Sequence, residues 1–139
     1  MNKLFRFKQV MIIDDDDVCR FLIERMFGKH HFAQEVISCG SAVDALKYLS
    51  VLRPKPSFPE IIFLDINMPE MDGFEFLEEF DRLNGAIEIH SPIIMLTSSE
   101  NPEDLKRAQE NKYVSAYFTK PLTDQKLESI STTFCPAKN

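Results

Sequence analysis

Hydrophobic residues along this chain fall into short continuous runs that alternate with segments in which apolar residues recur every three or four positions. The continuous runs predict buried strands, and the spaced segments predict amphipathic helices. The five predicted strands are Val10–Ile13, Val36–Ile37, Ile61–Leu64, Pro92–Leu96 and Ser115–Thr119. Because a helical stripe follows each run, we expect five strand–helix units in strict alternation.

Capping and turn residues predict where several of these elements begin and end. Asp17 is expected to cap the first helix, which is expected to end near Gly28, with that glycine as its carboxyl-terminal cap. Ser41 and Asp44 have the spacing of a capping box at the second helix. The segment 53–59 contains three prolines and is predicted to be a stiff connector between that helix and the third strand.

Strict alternation of strands and helices predicts an α/β fold, in which a parallel sheet is covered by helices on both faces. In open sheets of this kind, ligands bind beyond the carboxyl ends of the strands. The residues expected at those ends are Asp14, Asp15, Asp65, Thr97 and Lys120.

This set of side chains favours the chemistry of phosphoryl groups. Three neighbouring carboxylates repel one another unless a cation lies between them, and oxygen ligands favour Mg²⁺ or Mn²⁺. Lys120 suits a phosphate oxygen, and the Thr97 hydroxyl can donate a hydrogen bond to another. A central carboxylate can then act as a nucleophile and form an aspartyl phosphate.

Four segments at these strand ends resemble the receiver domain of bacterial two-component response regulators, and in particular the chemotaxis-type single-domain regulators. The segments are Ile12–Asp16, Phe63–Gly73, Ile94–Ser98 and Tyr117–Pro121. The resemblance extends over nearly the whole chain. It implies a flavodoxin-like, doubly wound sheet of five parallel strands in the order 2-1-3-4-5, with five helices on its two faces.

The resemblance assigns the metal site and the phosphoacceptor to individual residues. Asp65 corresponds to the phosphoacceptor. Asp14 and Asp15 correspond to the acidic pair that binds Mg²⁺, and Asn67 is expected to offer its backbone carbonyl to the metal. Lys120 is expected to pair with the phosphoryl group.

The resemblance also implies a switch. Thr97 is expected to hydrogen-bond to the phosphoryl group, and Tyr117 corresponds to an aromatic residue that turns inward when the threonine moves. Pro121 corresponds to a proline whose preceding peptide bond is cis. Ser99 stands with Asn67 at positions that tune the lifetime of the phosphoryl group in the family.

Composition excludes several other classes of protein. The formal net charge of −6 argues against direct nucleic-acid binding. The amino-terminal residues lack the apolar stretch of a signal peptide, and no run is long enough for membrane insertion. The three cysteines match no metal or redox spacing. We therefore expect a cytoplasmic protein with reduced thiols.

These inferences predict one receiver domain over residues 1–139, with a core at about residues 8–134 and no output domain. A sensor histidine kinase or a histidine phosphotransfer protein is the expected donor. Phosphorylation is expected to change the face formed by helix four, strand five and helix five, and so to signal to a downstream protein or relay the phosphoryl group. The expected chemistry is self-catalysed phosphorylation and dephosphorylation, without enzymatic turnover, in a monomer or a phosphorylation-dependent dimer.

Two alternative functions remain open from the sequence. The first is a pseudo-receiver that binds partners without phosphorylation. The second is a phosphatase of the haloacid dehalogenase type, which also uses an aspartate nucleophile with Mg²⁺. Such a phosphatase needs a second acid two residues after the nucleophile, and here that residue is Asn67.

Overall fold

The computed structural model describes residues 5–51, 58–87 and 89–134. The strands in these ranges are β1 Phe7–Ile13, β2 Ala33–Cys39, β3 Ile61–Leu64, β4 Ile93–Thr97 and β5 Val114–Thr119. The helices are α1 Asp17–Lys29, α2 Ala42–Val51, α3 Gly73–Ile87, α4 Pro102–Glu110 and α5 Asp124–Thr133. Cys135 and most of the predicted connector, residues 53–57, lie outside the described ranges. No helix within those ranges is both long and apolar enough to cross a membrane.

The strands form one parallel sheet in the order β2-β1-β3-β4-β5, which confirms the predicted topology. β1 lies between β2 and β3: its residue Val10 pairs with Val36 of β2 on one side and with Ile61 of β3 on the other. Since all neighbouring pairs are parallel, the carboxyl ends of the strands meet at one edge of the sheet.

Each face of the sheet carries its own hydrophobic core, because successive side chains of a strand point to opposite faces. In β1, Met11 and Ile13 contribute to the core under α2, α3 and α4. Val10 and Ile12 contribute to the core under α1 and α5, where Phe27 is also buried. The prediction that helices cover both faces is confirmed.

The predicted end of α1 near Gly28 is confirmed to within one residue, but both predicted caps are wrong. Asp16, and not Asp17, caps the helix, because its extended backbone lets its carboxylate accept from the Val18 and Cys19 amides at 3.0 and 3.2 Å. The helix ends at Lys29, one residue after Gly28, and His30 takes the place of Gly28 as its carboxyl-terminal cap. The left-handed conformation that ends such helices occurs at His31, where φ is 51°.

The predicted cap of α2 is confirmed. The Asp44 amide donates to the Ser41 hydroxyl at 3.0 Å, just before the first buried residues of the helix. The side chain of Asn101 similarly accepts from the Glu103 amide at 3.0 Å and caps α4, whose first residue is Pro102.

Candidate functional site

Three polar side chains are buried where the central strands end. Asp14 follows β1, Asp65 follows β3, and Thr97 is the last residue of β4. Their exposed fractions are 2%, 5% and 0%, and in the part of the chain that the structure describes no other polar or charged residue is buried. Burying a carboxylate costs free energy unless it is paired. This edge of the sheet is therefore the strongest candidate for a site.

Lys120 supplies the positive charge that pairs these carboxylates. It follows β5 directly, and its Nζ lies 2.8 Å from Asp14 Oδ2 and 3.1 Å from Asp65 Oδ2. Its backbone amide donates to the carbonyl of Thr97 at 2.8 Å, and the Lys120–Pro121 peptide bond is cis, as predicted. One lysine thus bridges two buried carboxylates at the ends of different strands.

The carboxylates are arranged in a way that fits a divalent cation. One oxygen each from Asp14, Asp15 and Asp65 lies within 4.8 Å of the others. Asp14 and Asp65 are buried, whereas Asp15 is exposed and opens the cluster to solvent. Hard cations such as Mg²⁺ and Mn²⁺ prefer oxygen ligands of this kind and commonly keep water on their open side.

The pKa values of the site reflect burial and pairing. The pKa of Asp65 is raised above its ordinary value, mainly by burial and also by the nearby negative charge of Asp14. Lys120 and the Thr97 hydroxyl oppose this shift but do not cancel it. Burial alone would lower the pKa of Lys120, but its contacts with Asp14 and Asp65 outweigh burial and hold that pKa above its ordinary value. Lys120 is therefore firmly charged, and it is the main group that favours the ionised form of Asp65.

The loop after β3 continues the site. The amide of Ile66 donates to Asp65 Oδ1 at 2.7 Å, which fixes the carboxylate against its own backbone. Asn67 lies exposed two residues beyond Asp65. Gly73 opens α3, and its amide donates to the carbonyl of Ile66 at 2.8 Å, so that α3 begins in direct contact with the residue that follows the candidate nucleophile.

The loop after β4 connects Thr97 with Tyr117 and α4 through Ser99. The Ser99 amide donates to the Thr97 hydroxyl oxygen at 3.2 Å, and the Tyr117 hydroxyl donates to the Ser99 carbonyl at 3.3 Å. The Ser99 hydroxyl donates to Asp104 in the first turn of α4 at 2.6 Å. The half-buried Tyr117 thus reaches this loop, while the buried residues Asp65 and Thr97 meet in the crevice.

Two residues of α1 near the site were not predicted from the sequence. The Arg20 guanidinium donates to the carbonyl of Asp14 at 2.6 Å. Burial and the nearby Asp14 raise the pKa of the Cys19 thiol to about 11, although Lys120 lowers it. Arg20 lies four residues after the cap Asp16, and side chains on a helix lean toward its amino terminus, which is the signal that could have placed it here.

Comparison with known proteins agrees with this geometry. The model of the response regulator receiver domain family matches residues 10–131. The chain belongs to this family. The matched range contains the three clustered carboxylates, Thr97 and Lys120.

Relatives of this receiver domain include much longer proteins. The two-component response regulator ARR11 of Arabidopsis thaliana is 32% identical over 123 residues, which cover 88% of this chain and 21% of that protein. The chain therefore spans about a fifth of the length of this relative.

Solved structures show the same fold. A two-component response regulator from Cytophaga hutchinsonii is 31% identical and superposes with a TM-score of 0.84, covering 93% of this chain and 97% of that one. The receiver domain of the histidine kinase CKI1 from Arabidopsis thaliana, complexed with Mg²⁺, is 24% identical and superposes with a TM-score of 0.77, covering 95% of each chain. The second likeness shows the shared fold alone.

Proposed function

We propose that this receiver domain accepts a phosphoryl group on Asp65, and that it needs Mg²⁺ or Mn²⁺ at the neighbouring carboxylates to do so. The observation that carries the proposal is the buried carboxylate of Asp65, which lies 3.1 Å from Lys120 and within the cluster of three carboxylates. A receiver from CKI1 was solved in complex with Mg²⁺, and the carboxylates of this chain suit the same cation.

The side chains have complementary roles in this reaction. An oxygen of Asp65 attacks the phosphorus, so that an O–P bond forms while the P–N bond to a donor histidine breaks; the imidazole keeps the electron pair and takes up a proton from solvent. Lys120 favours the ionised nucleophile and then pairs with a phosphoryl oxygen. The bound cation supplies further positive charge, and Asp14, Asp15, Asp65 and the carbonyl of Asn67 would hold it.

The output of the domain is proposed to run through Ser99. When the Thr97 hydroxyl turns toward a phosphoryl oxygen, it gives up its bond with the Ser99 amide, and Ser99 also contacts Tyr117 and Asp104. This rearrangement would bias the face formed by α4, β5 and α5 between two conformations. A downstream protein, or a second phosphotransfer protein, would read that face.

α4 buries little apolar surface that would hold it in place during such a change. Its one buried residue is Ala108, and Leu105 is 39% exposed. The guanidinium of Arg107 lies 3.9 Å from the centre of the Phe74 ring and joins α4 to α3. Elements with little buried apolar surface open at low free-energy cost, which supports α4 as the mobile part of the output face.

The experiment that tests the proposal is phosphorylation by acetyl phosphate, read by intact mass with and without Mg²⁺. We expect one added phosphoryl group in the wild type with Mg²⁺, and none in Asp65→Asn or in EDTA. Beryllofluoride is a stable mimic of the phosphoryl group. A protein that binds it but shows no added mass with acetyl phosphate has a short-lived phosphoryl group, not a missing one. A folded protein that takes neither would contradict the proposal and favour a pseudo-receiver, whereas steady hydrolysis of p-nitrophenyl phosphate would favour a phosphatase.

A second prediction concerns the proposed donor, a histidine kinase or a histidine phosphotransfer protein. Val18, Phe21 and Leu22 of α1 are 62%, 57% and 57% exposed, and Val18 follows Asp15 by three residues. A donor that reaches Asp65 is therefore expected to bury these three side chains. In a panel of purified histidine kinases and histidine phosphotransfer proteins, one donor will phosphorylate the wild type fastest. We expect Phe21→Asp to slow transfer from that donor by at least about tenfold, as for a central interface residue. Labelling by acetyl phosphate should stay unchanged.

The matched control for this prediction is Val51→Asp. Val51 is also an exposed apolar residue, with 73% of its surface exposed, but it lies at the end of α2. Transfer to this variant should equal transfer to the wild type. Equal transfer to Phe21→Asp would instead place the donor on another face of the domain.

A further inference from the structure

Arg20 joins three elements of the fold at the edge of the proposed metal site. It belongs to α1, and its Nη1 donates to the backbone carbonyl of Asp14, after β1, at 2.6 Å. Its Nε donates to the hydroxyl of Ser38 in β2 at 2.9 Å. Gly40 leaves room for this side chain, since a Cβ there would lie 3.3 Å from Nη1. The guanidinium is therefore held in a defined position, although it is only half-buried.

The bond from Arg20 acts on the peptide group between two proposed metal ligands. The carbonyl of Asp14 and the amide of Asp15 belong to the same planar unit, so a donor to that carbonyl sets the orientation of both. Asp15 is exposed, so the position of its carboxylate in the cluster depends mainly on the orientation of this peptide group.

The other polar atoms of Asp14 are already fixed. Its amide donates to the carbonyl of Cys39 at 3.1 Å, its Oδ1 accepts from the Asp16 amide at 3.0 Å, and its Oδ2 lies 2.8 Å from Lys120. Arg20 completes this set at the carbonyl oxygen. The direction in which the chain leaves Asp14 toward Asp15 thus depends on the arginine.

We propose that Arg20 is a positioning residue for the divalent cation: it orients the Asp14–Asp15 peptide so that both carboxylates face the same ion. This inference rests on the proposed function, in which those carboxylates bind Mg²⁺. Groups that orient metal ligands without touching the metal commonly change affinity by about 10–100-fold when they are removed.

The sign of the effect separates positioning from simple charge. A guanidinium close to the cation repels it, so removing a merely electrostatic arginine would tighten Mg²⁺ binding. Removing a positioning arginine weakens binding, because the two carboxylates lose their common orientation. The two roles therefore predict opposite changes in the same measured dissociation constant.

The test is calorimetric titration of Mg²⁺ into the wild type and into Arg20→Ala, Arg20→Lys and Ser38→Ala. We expect about 10–100-fold weaker binding for Arg20→Ala and partial recovery for Arg20→Lys, which keeps one charged donor. Ser38→Ala keeps the arginine and its charge but removes one anchor, so it should weaken binding by a few fold and remain informative if Arg20→Ala folds poorly. Arg25→Ala, at an exposed arginine of the same helix, should bind like the wild type.

The rate of phosphorylation by acetyl phosphate provides a second readout. In Arg20→Ala the Mg²⁺ concentration for half-maximal rate should rise with the dissociation constant, while the rate at saturating Mg²⁺ should stay within about twofold of the wild type. Folded variants at Arg20 and Ser38 that bind Mg²⁺ as tightly as the wild type, or more tightly, would overturn the inference. A wild type that binds no Mg²⁺ would overturn the proposed metal site itself, and this inference with it.

Discussion

Replacing Lys120 by methionine is expected to lower the free energy of unfolding by about 3 kcal/mol at neutral pH in metal-free protein, because it leaves two buried carboxylates without their cation. Lys120 lies within 3.1 Å of both Asp14 and Asp65. Methionine keeps an unbranched apolar chain of similar length, so the change removes the charge more than the packing.

The loss should depend on pH, and the pKa of Asp65 gives the direction. That pKa is raised because burial outweighs the opposing effects of Lys120 and Thr97. A carboxyl with a higher pKa in the folded state stabilises the fold below its ordinary pKa, and this stabilisation is lost as the pH rises through the folded value. Removing Lys120 raises the pKa of Asp65 further, so the deficit should be largest at neutral pH and shrink toward about pH 4.

Urea denaturation in EDTA at the two pH values measures this deficit. Lys126→Met is the matched control, since Lys126 lies nearby in α5 but donates to the carbonyls of Thr119 and Pro121 and to no carboxylate of the site. Its stability loss should be small and independent of pH over this range. A deficit in Lys120→Met that is equal at both pH values would show that packing, and not charge, accounts for it.

Replacing Gly73 by alanine is expected to lower the free energy of unfolding by about 2 kcal/mol and to slow phosphorylation by acetyl phosphate at least about tenfold. A Cβ at Gly73 would lie 2.5 Å from the carbonyl oxygen of Asp65 and 2.9 Å from the Cα of Ile66. Backbone atoms cannot move aside as a flexible side chain can, so the start of α3 and the proposed nucleophile must shift apart.

Gly85→Ala is the control for this variant, because it makes the same substitution in the same helix. Outside its own helix, a Cβ at Gly85 would meet no atom of the described residues within 4 Å, and alanine there should stabilise the helix by about 0.5–1 kcal/mol. Urea denaturation and the time course of intact mass compare the two. If Gly73→Ala is as stable and as reactive as Gly85→Ala, then the close approach at Asp65 does not constrain the site.

The neighbours in the candidate site could be predicted from the sequence because their positions follow from parallel strands. Asp14, Asp65, Thr97 and Lys120 each stand at the end of an apolar run, and alternation of strands and helices makes those runs parallel. Once the strands are parallel, their carboxyl ends meet at one edge. The ion pairs that join Lys120 to Asp14 and Asp65 are the direct consequence.

The residues that cap α1 could not be predicted from local pattern alone. Residues 14–17 are all aspartates, so the residue type does not show which of them caps the helix. Asp16 takes this role because of where β1 ends and α1 begins. Gly28 has the residue type of a helix end, but the helix continues past it, and His31 makes the turn instead. Both outcomes depend on how the segment after the helix reaches β2.

The order of the elements, the two-sided core and the residue types at the carboxyl ends of the strands could all be predicted from the sequence, because they follow from periodicity and from the ends of apolar runs. Three contacts became visible only once the chain was folded: Arg20 donates to Asp14, Gly73 leaves no room for a Cβ beside the backbone of Asp65, and Ser99 joins Thr97 to α4. These are contacts between particular atoms of separate elements. Each contact requires its atoms to be placed to within a few tenths of an ångström, and no pattern of residue types along the chain specifies positions with that accuracy.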